Sequence, residues 1–372
     1  AVVGGAGTLD TIAISAADTL EDVDFTNVSG VEVLSLTGAS TVTLGAKALA
    51  AGIVKVIGGA GADTIIGSAS ANFGDNLSGG VGNDTFKFAS ANLTATDSID
   101  GGTGTNTIEI TNAVAVIDTA FTKVTAGTVQ TLTSSAGVAQ DFTLDSKALA
   151  AGITTVTGST AADKVTVTAG YTGALTIALG ASAGNDSVVG GAAGAGLTIT
   201  GTMGGVTTGD AIAGATASAD TLTLSVVGAA TSTLTDVSKV DTVKLVDGDT
   251  AASVLAQVVL VEGNATYTNA TTYQTITVDA SALVVTGAVA ADTTSINASA
   301  ETNAKVVIKG SAGANTITLS GSANFGDSVL GGAAIDTINV GVNARLTSAD
   351  SIDGGAGNDT LQGGTGHDTL DG

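Results

Sequence analysis

The chain has 372 residues and a formal net charge of −23, from 34 acidic and 11 basic side chains. That balance excludes nucleic acid and anionic lipid as partners, since both need a basic footprint, and it suits metal cations wherever the acids converge. At 44% apolar residues the chain is too hydrophobic for a disordered acidic tail, although it has no Cys, Pro or Trp and only 3% aromatics.

A core made from Ala, Val, Ile and Leu without large aromatic anchors is thin, like the space between stacked strands. The lack of cysteine fits a cytosolic protein or a secreted one that does without disulfides. Apolar runs such as Val258-Val259-Leu260-Val261 are far too short to cross a membrane as a helix, so no membrane insertion is expected. The chain opens within Gly4-Gly5-Ala6-Gly7 and stops at Leu370-Asp371-Gly372, which leads us to expect a piece of a longer protein with its targeting signals elsewhere.

Taken in chain order, the predicted elements are short strands. Val31–Leu36 and Thr41–Leu44 alternate apolar and polar residues, and Lys47–Ala51 is expected to form a single helical turn. Val165–Thr168, Leu222–Val226 and Gln274–Val278 repeat the alternation, each bounded by Gly, Asn or Asp. One longer helix is predicted, around Ala251–Val261. Thr-x-Thr pairs such as Thr41/Thr43, Thr221/Thr223 and Thr316/Thr318 raise the thought of an ice-binding face. Their irregular sequence intervals argue against the coil-by-coil register that such a face needs, and Thr is also a good outward strand residue.

The chain repeats itself. Residues 54–102 match residues 306–355, and Lys47-Ala-Leu-Ala-Ala-Gly-Ile53 recurs as Lys147-Ala-Leu-Ala-Ala-Gly-Ile153. Phe25-Thr-Asn-Val28, Phe121-Thr-Lys-Val124 and Leu234-Thr-Asp-Val237 form a weaker series. These echoes divide the chain into three expected modules: 1–115 with glycine-rich repeats, a degenerate β module over 116–230, and 231–372 ending in further repeats.

The pattern with chemistry in it is G-G-x-G-x-D-x-U-x, where U is a large apolar residue. It occurs at Gly58–Ile65, Gly79–Phe86, Gly354–Leu361 and Gly363–Leu370, with degenerate copies from Gly4, Gly101, Gly310 and Gly331. Glycine permits the sharp bend that aims carbonyl oxygens at one point, and the sixth-position Asp adds a carboxylate. Calcium takes six to eight oxygens, so one turn is insufficient and two stacked turns are needed. The spacing supports stacking: Asp63, Asp84 and Asn106 recur at 21 and 22 residues, and Asn315, Asp336 and Asp359 at 21 and 23. A second series interleaves, with Asp75 to Asp97 at 22, Asp327 to Asp350 at 23 and Asp350 to Asp368 at 18. A coil of about 20 residues with one column of acids on each side gives such spacing, and calcium binding would then be folding energy.

These repeats resemble the RTX (hemolysin-type calcium-binding repeat) family, and the Phe-x-x-Val modules resemble those of bacterial surface-layer and other large surface proteins that carry such repeats. The resemblance implies a right-handed parallel β-solenoid (a β-roll or β-helix) that folds outside the cell after type I export. It makes the carbonyls of Gly58, Gly79, Gly354 and Gly363 and the carboxylates of Asp63, Asp84, Asp359 and Asp368 the candidate calcium ligands. Departures from the pattern are Asn at positions 72, 106, 315 and 324. Those sites are weak, empty, or satisfied by neighbours such as Asp75, Asp100 or Asp353.

The expected role is a non-enzymatic, extracellular structural one: a calcium-stabilised surface-layer or surface-filament component that self-assembles, with cell-surface glycan as a further partner. The rivals are the stalk of a large calcium-dependent adhesin and the calcium-binding tail of a type I-secreted hydrolase. His367, the single histidine, sits in a variable turn slot, and no G-x-S-x-G elbow accompanies it. A sugar-cleaving solenoid would need aromatic platforms, for which only Tyr171, Tyr267 and Tyr273 could be added to seven Phe.

Overall fold

The computed structural model describes the chain apart from residues 71–73, 114, 181–183, 192–195, 207–208, 217, 249–254, 262–274, 284–292, 302–303, 320–325, 341–349 and 364–372. It is all-β with very little helix, its parallel strands stacked as a β-solenoid. The chain forms two compact units, Ala1–Ile177 and Ala178–Gly372, so that the division falls inside the segment 116–230 set apart by the sequence echoes. Among the described residues no helix is long and apolar enough to cross a membrane.

In the first unit one parallel ladder joins Thr19–Leu20, Thr41–Thr43, Thr64–Ile66, Thr85–Phe88, Thr107–Ile110, Thr131–Ser134 and Thr155–Thr157. A second joins Thr11–Ile14, Val33–Leu36, Lys55–Ile57, Asn76–Ser78 and Ser98–Asp100. Strands of three or four residues suffice because each must turn only one or two side chains inward. Val42, Ile65, Phe86, Ile108, Leu132 and Val156 stand in register on one ladder and are fully buried. Leu34, Val56, Leu77 and Ile99 do the same on the other. Each such residue contributes roughly 1.5–3 kcal/mol by leaving water, so the stack gains its stability coil by coil.

The second unit repeats the plan. One ladder runs through Leu197–Thr202, Thr221–Val226, Thr242–Asp247, Thr275–Ala282, Lys305–Lys309, Ser328–Gly332 and Ser351–Gly355. The other runs through Ala230–Thr233, Leu255–Val259, Thr293–Asn297, Asn315–Thr318, Thr337–Asn339 and Thr360–Gln362. Leu255–Val259 lies where the sequence predicted a helix. Ala256 and Val258 point inward at 0% exposure while Gln257 faces out, which is the period of a strand and not of a helix. Residues 251–254 of that predicted helix lie outside the described set.

Threonine register also departs from expectation. Thr19, Thr41, Thr64, Thr85, Thr107, Thr131 and Thr155 are direct neighbours on successive strands, one per coil. The unequal sequence intervals are taken up in the turns. The column beside it reads Thr43, Ile66, Lys87, Glu109, Thr133 and Thr157, and a Lys87–Glu109 ion pair of 2.9 Å interrupts the Thr-x-Thr pattern.

The two short echoes turn out to be one device. Asp22–Phe25 and Asp118–Phe121 are 3-10 turns, and Ala46–Ala51 and Ser146–Ala151 are short helices one coil later. The carboxylate of Asp22 accepts the amides of Lys47 and Ala48 (both 2.9 Å), and that of Asp118 accepts Ala148 (2.8 Å) and Lys147 (3.1 Å). Each acid thus caps the exposed amides at the start of the following helix.

Candidate metal centre

The acids lie at the residue that enters each strand. Asp63, Asp84 and Asn106 are neighbours on successive coils, and so are Asn315, Asp336 and Asp359. The contact between them is indirect and repeated. The backbone N–H of Asp63 donates to Oδ1 of Asp84 (2.8 Å), and that of Asp84 donates to Oδ1 of Asn106 (2.8 Å). In the second unit the amide of Asn315 donates to Asp336 Oδ1 (2.7 Å), and that of Asp336 to Asp359 Oδ1 (2.9 Å). The interleaved series behaves alike, through Asp75 N–H to Asp97 (2.9 Å) and Asp327 N–H to Asp350 (2.7 Å). Each carboxylate therefore ties down the amide of the adjacent coil with a charge-assisted bond.

The second oxygens distinguish the rungs. Oδ2 of Asp84, Asp336 and Asp359 and Oδ1 of Asp75 are buried and make no hydrogen bond. Asp63 differs, its Oδ2 accepting the Gly59 amide at 3.0 Å. Buried carboxylate oxygens without a donor are costly, because water can no longer solvate the charge. Burial accordingly pushes the carboxyls of Asp63, Asp75, Asp84 and Asp336 above their ordinary value, with neighbouring carboxylates adding to the rise at the last three. At Asp327 burial, with Asp350 beside it, raises the carboxyl to about 6.

Glycine is required at the bend by close approach. A Cβ on Gly331 would collide with the Gly354 carbonyl oxygen and stand 2.5 Å from Asp336 Oδ2, and one on Gly58 would collide with the Gly79 carbonyl and stand 2.8 Å from Asp63 Oδ2. In both turns a carboxylate oxygen and the carbonyl of the next coil's first glycine flank the same point. No three acidic or histidine side chains converge as a metal-holding group among the described residues. An ion here would draw on one carboxylate per turn together with carbonyls, an all-oxygen set that suits a hard cation such as calcium. The residues fit that ion at Asp336, whose unpartnered oxygen would hold it alongside the carbonyl of Gly354, and Asp75, Asp84 and Asp359 offer unpartnered oxygens of the same kind.

Other sequence candidates sit elsewhere. Asp100 and Asp353 lie outside the columns and accept the amides of Gly102 (3.0 Å) and Gly355 (2.9 Å), two residues along in their own turns. Gly363 follows the strand Thr360–Gln362, while Asp368, His367, Asn72 and Asn324 lie outside the described residues. The substitutions Asn106 and Asn315 are not satisfied by Asp75, Asp100 or Asp353. Asn106 Nδ2 donates to the Thr128 carbonyl (2.9 Å), and Asn315 Nδ2 to the Gly331 carbonyl (2.9 Å).

The motif also missed members of the ladder. Asp220 accepts the amides of Leu197 (2.6 Å) and Ala215 (2.5 Å), and its own amide donates to Asp241 (2.7 Å). Ser40 and Gln130 extend the first column as neutral rungs, Ser40 donating its amide to Asp63 (2.7 Å) and Gln130 accepting that of Asn106 (2.8 Å). A simpler signal would have found most of them, namely a polar side chain followed by Thr and an apolar residue. Asp18-Thr-Leu, Asp220-Thr-Leu, Asp241-Thr-Val and Gln130-Thr-Leu share it with Asp63-Thr-Ile and Asp84-Thr-Phe.

Comparison with known proteins agrees with this geometry. No curated protein and no solved structure matches the chain. A family model, the RTX calcium-binding nonapeptide repeat in four copies, matches residues 55–86 and 347–372, the segments that hold Asp63, Asp84 and Asp359. The ion bound by such repeats is calcium. Stacked acid-bearing turns, oxygen-only surroundings and this match identify RTX-type calcium-binding repeats in these two segments of the chain.

Proposed function

We propose that the chain is an extracellular, non-enzymatic structural protein, a surface-layer or surface-filament component exported by a type I route and stiffened by calcium. The supporting observation is the double duty of the column carboxylates. One oxygen holds the amide of the neighbouring coil, and at Asp84, Asp336 and Asp359 the other is buried without a donor. An ion that neutralises the second oxygen therefore also secures the junction between coils, so that metal binding and the rigidity of the stack are one process. Calcium is plentiful outside cells, which makes such a chain foldable after export rather than before. The chain carries a formal net charge of −23, so copies of it would associate through bridging cations, and cell-surface glycan is a further candidate partner.

Circular dichroism and light scattering in calcium and in EGTA test the proposal. A lost β signal in EGTA is expected from calcium-coupled folding, and loss of large particles alone would locate the ion between copies. An unchanged signal by both measures would overturn it.

A further inference from the structure

Asn315 is 2% exposed, and its side-chain nitrogen is surrounded by oxygen: the carbonyls of Gly313 (2.7 Å), Gly331 (2.9 Å) and Ser311 (3.2 Å), and Oδ1 of Asp336 (2.9 Å). Its own Oδ1 accepts the Ser311 amide at 3.0 Å, and the Ser311 hydroxyl at 2.9 Å. Four acceptors around one amino group exceed what its two protons can serve. Such an oxygen cage is the kind of setting a small cation takes.

The equivalent acidic turn shows what the nitrogen replaces. A Cβ on Gly310 would meet the Gly331 carbonyl and, at 2.8 Å, Asn315 Nδ2. One coil on, a Cβ on Gly331 would meet the Gly354 carbonyl and, at 2.5 Å, Asp336 Oδ2. Nitrogen and oxygen thus occupy the same place relative to the same two glycines. In the Asn turn an N–H points at the carbonyl and the pair attracts, whereas in the Asp turn two oxygens face each other with no proton between them. Asn106, at 0% exposure, repeats the arrangement, since a Cβ on Gly101 would meet the Thr128 carbonyl and, at 2.6 Å, Asn106 Nδ2.

We propose that Asn315 and Asn106 are built-in substitutes for the cation: their amide nitrogens close these turns without metal and mark where each calcium column stops. The proposal rests on the calcium reading of the Asp turns. It assigns one chain two kinds of rung, one switched by calcium and one permanently closed.

Two reciprocal substitutions in the full chain test it. Asn315→Asp should add one calcium per chain by equilibrium dialysis with calcium alone, and should lower the melting temperature in EGTA but not in calcium. Asp336→Asn should remove one calcium and raise the melting temperature in EGTA. If wild type binds calcium but neither exchange moves the stoichiometry, the proposal is overturned while the calcium reading survives. If wild type binds none, the calcium reading fails, and the melting order in EGTA still decides the role of the amide. Asn315→Asp below wild type and Asp336→Asn above it supports that role, and any other order overturns it.

Discussion

The glycine-rich turns around Asp84 and Asp336 and the glycine-poor turns around Asp163 and Asp220 use the same side chain for different ends. Asp220 receives a backbone amide on each oxygen, from Leu197 and Ala215, and Asp163 likewise from Gln140 and Ser159. Asp84 and Asp336 receive an amide on one oxygen and none on the other. The ladder bond between coils is common to both kinds of turn. A carbonyl of the next coil lies by the bend in both kinds of turn, Gly354 at Asp336 and Lys239 at Asp220, but only at Asp220 does an amide, that of Ala215, also reach the second oxygen. A carboxylate with an amide on each oxygen, as at Asp220, Asp163 and also Asp63, is therefore complete as it stands, and one whose second oxygen has none, as at Asp84 and Asp336, calls for a cation.

The largest effect expected from this contrast is regional. Transfer to EGTA should strip hydrogen-exchange protection from the strands beside Asp84 and Asp336, such as Thr85–Phe88 and Thr337–Asn339. Protection should remain in Leu197–Thr202 and Thr221–Val226, whose carboxylate needs no metal. Uniform loss across all four strands would erase the distinction. Next in size, Asp220→Ala leaves two amides without acceptors, at about 1–3 kcal/mol each, and chemical denaturation should show the same loss with and without calcium. Asp84→Ala leaves one such amide, and its destabilisation should be larger in calcium than in EGTA because wild type alone gains from the ion.

A pH dependence sharpens the comparison further. The Asp327 carboxyl titrates near 6 in the fold against an ordinary value of 3.8, so the folded state takes up the proton first. In the calcium-free protein this group favours the fold below that window. Its contribution falls as pH rises from about 4 to 6 and is flat above. Melting curves in EGTA should show that decline. The smallest effect belongs to the capping acids. Asp22→Ala should cost about 0.5–2 kcal/mol, unaffected by calcium, as read from the denaturation midpoint.

Much of this was legible beforehand at the turns. Repetition of Asp63, Asp84 and Asn106 at near-constant intervals identified neighbours correctly, because a solenoid coil converts sequence spacing directly into stacking. Asp220 and Asp241 escaped notice because the glycine pattern marks the bend and not the ladder, and their bends are made without it. The threonine column was hidden for a related reason: strand pairing sets register while turns of unequal length absorb the difference. Leu255–Val259 shows the opposite limit, where an apolar run compatible with either period was settled by strands on both sides.

By itself the sequence determined that the chain would be parallel β with acid-bearing bends, since alternating short strands and recurring glycine turns leave few other ways to bury Val, Ile and Leu. Only the tertiary structure decided which acids are complete and which want an ion. That depends on whether an amide of the same turn is folded back onto the second oxygen, as those of Gly59 and Ala215 are, a matter of ångströms in the shape of the bend that the residue pattern does not record.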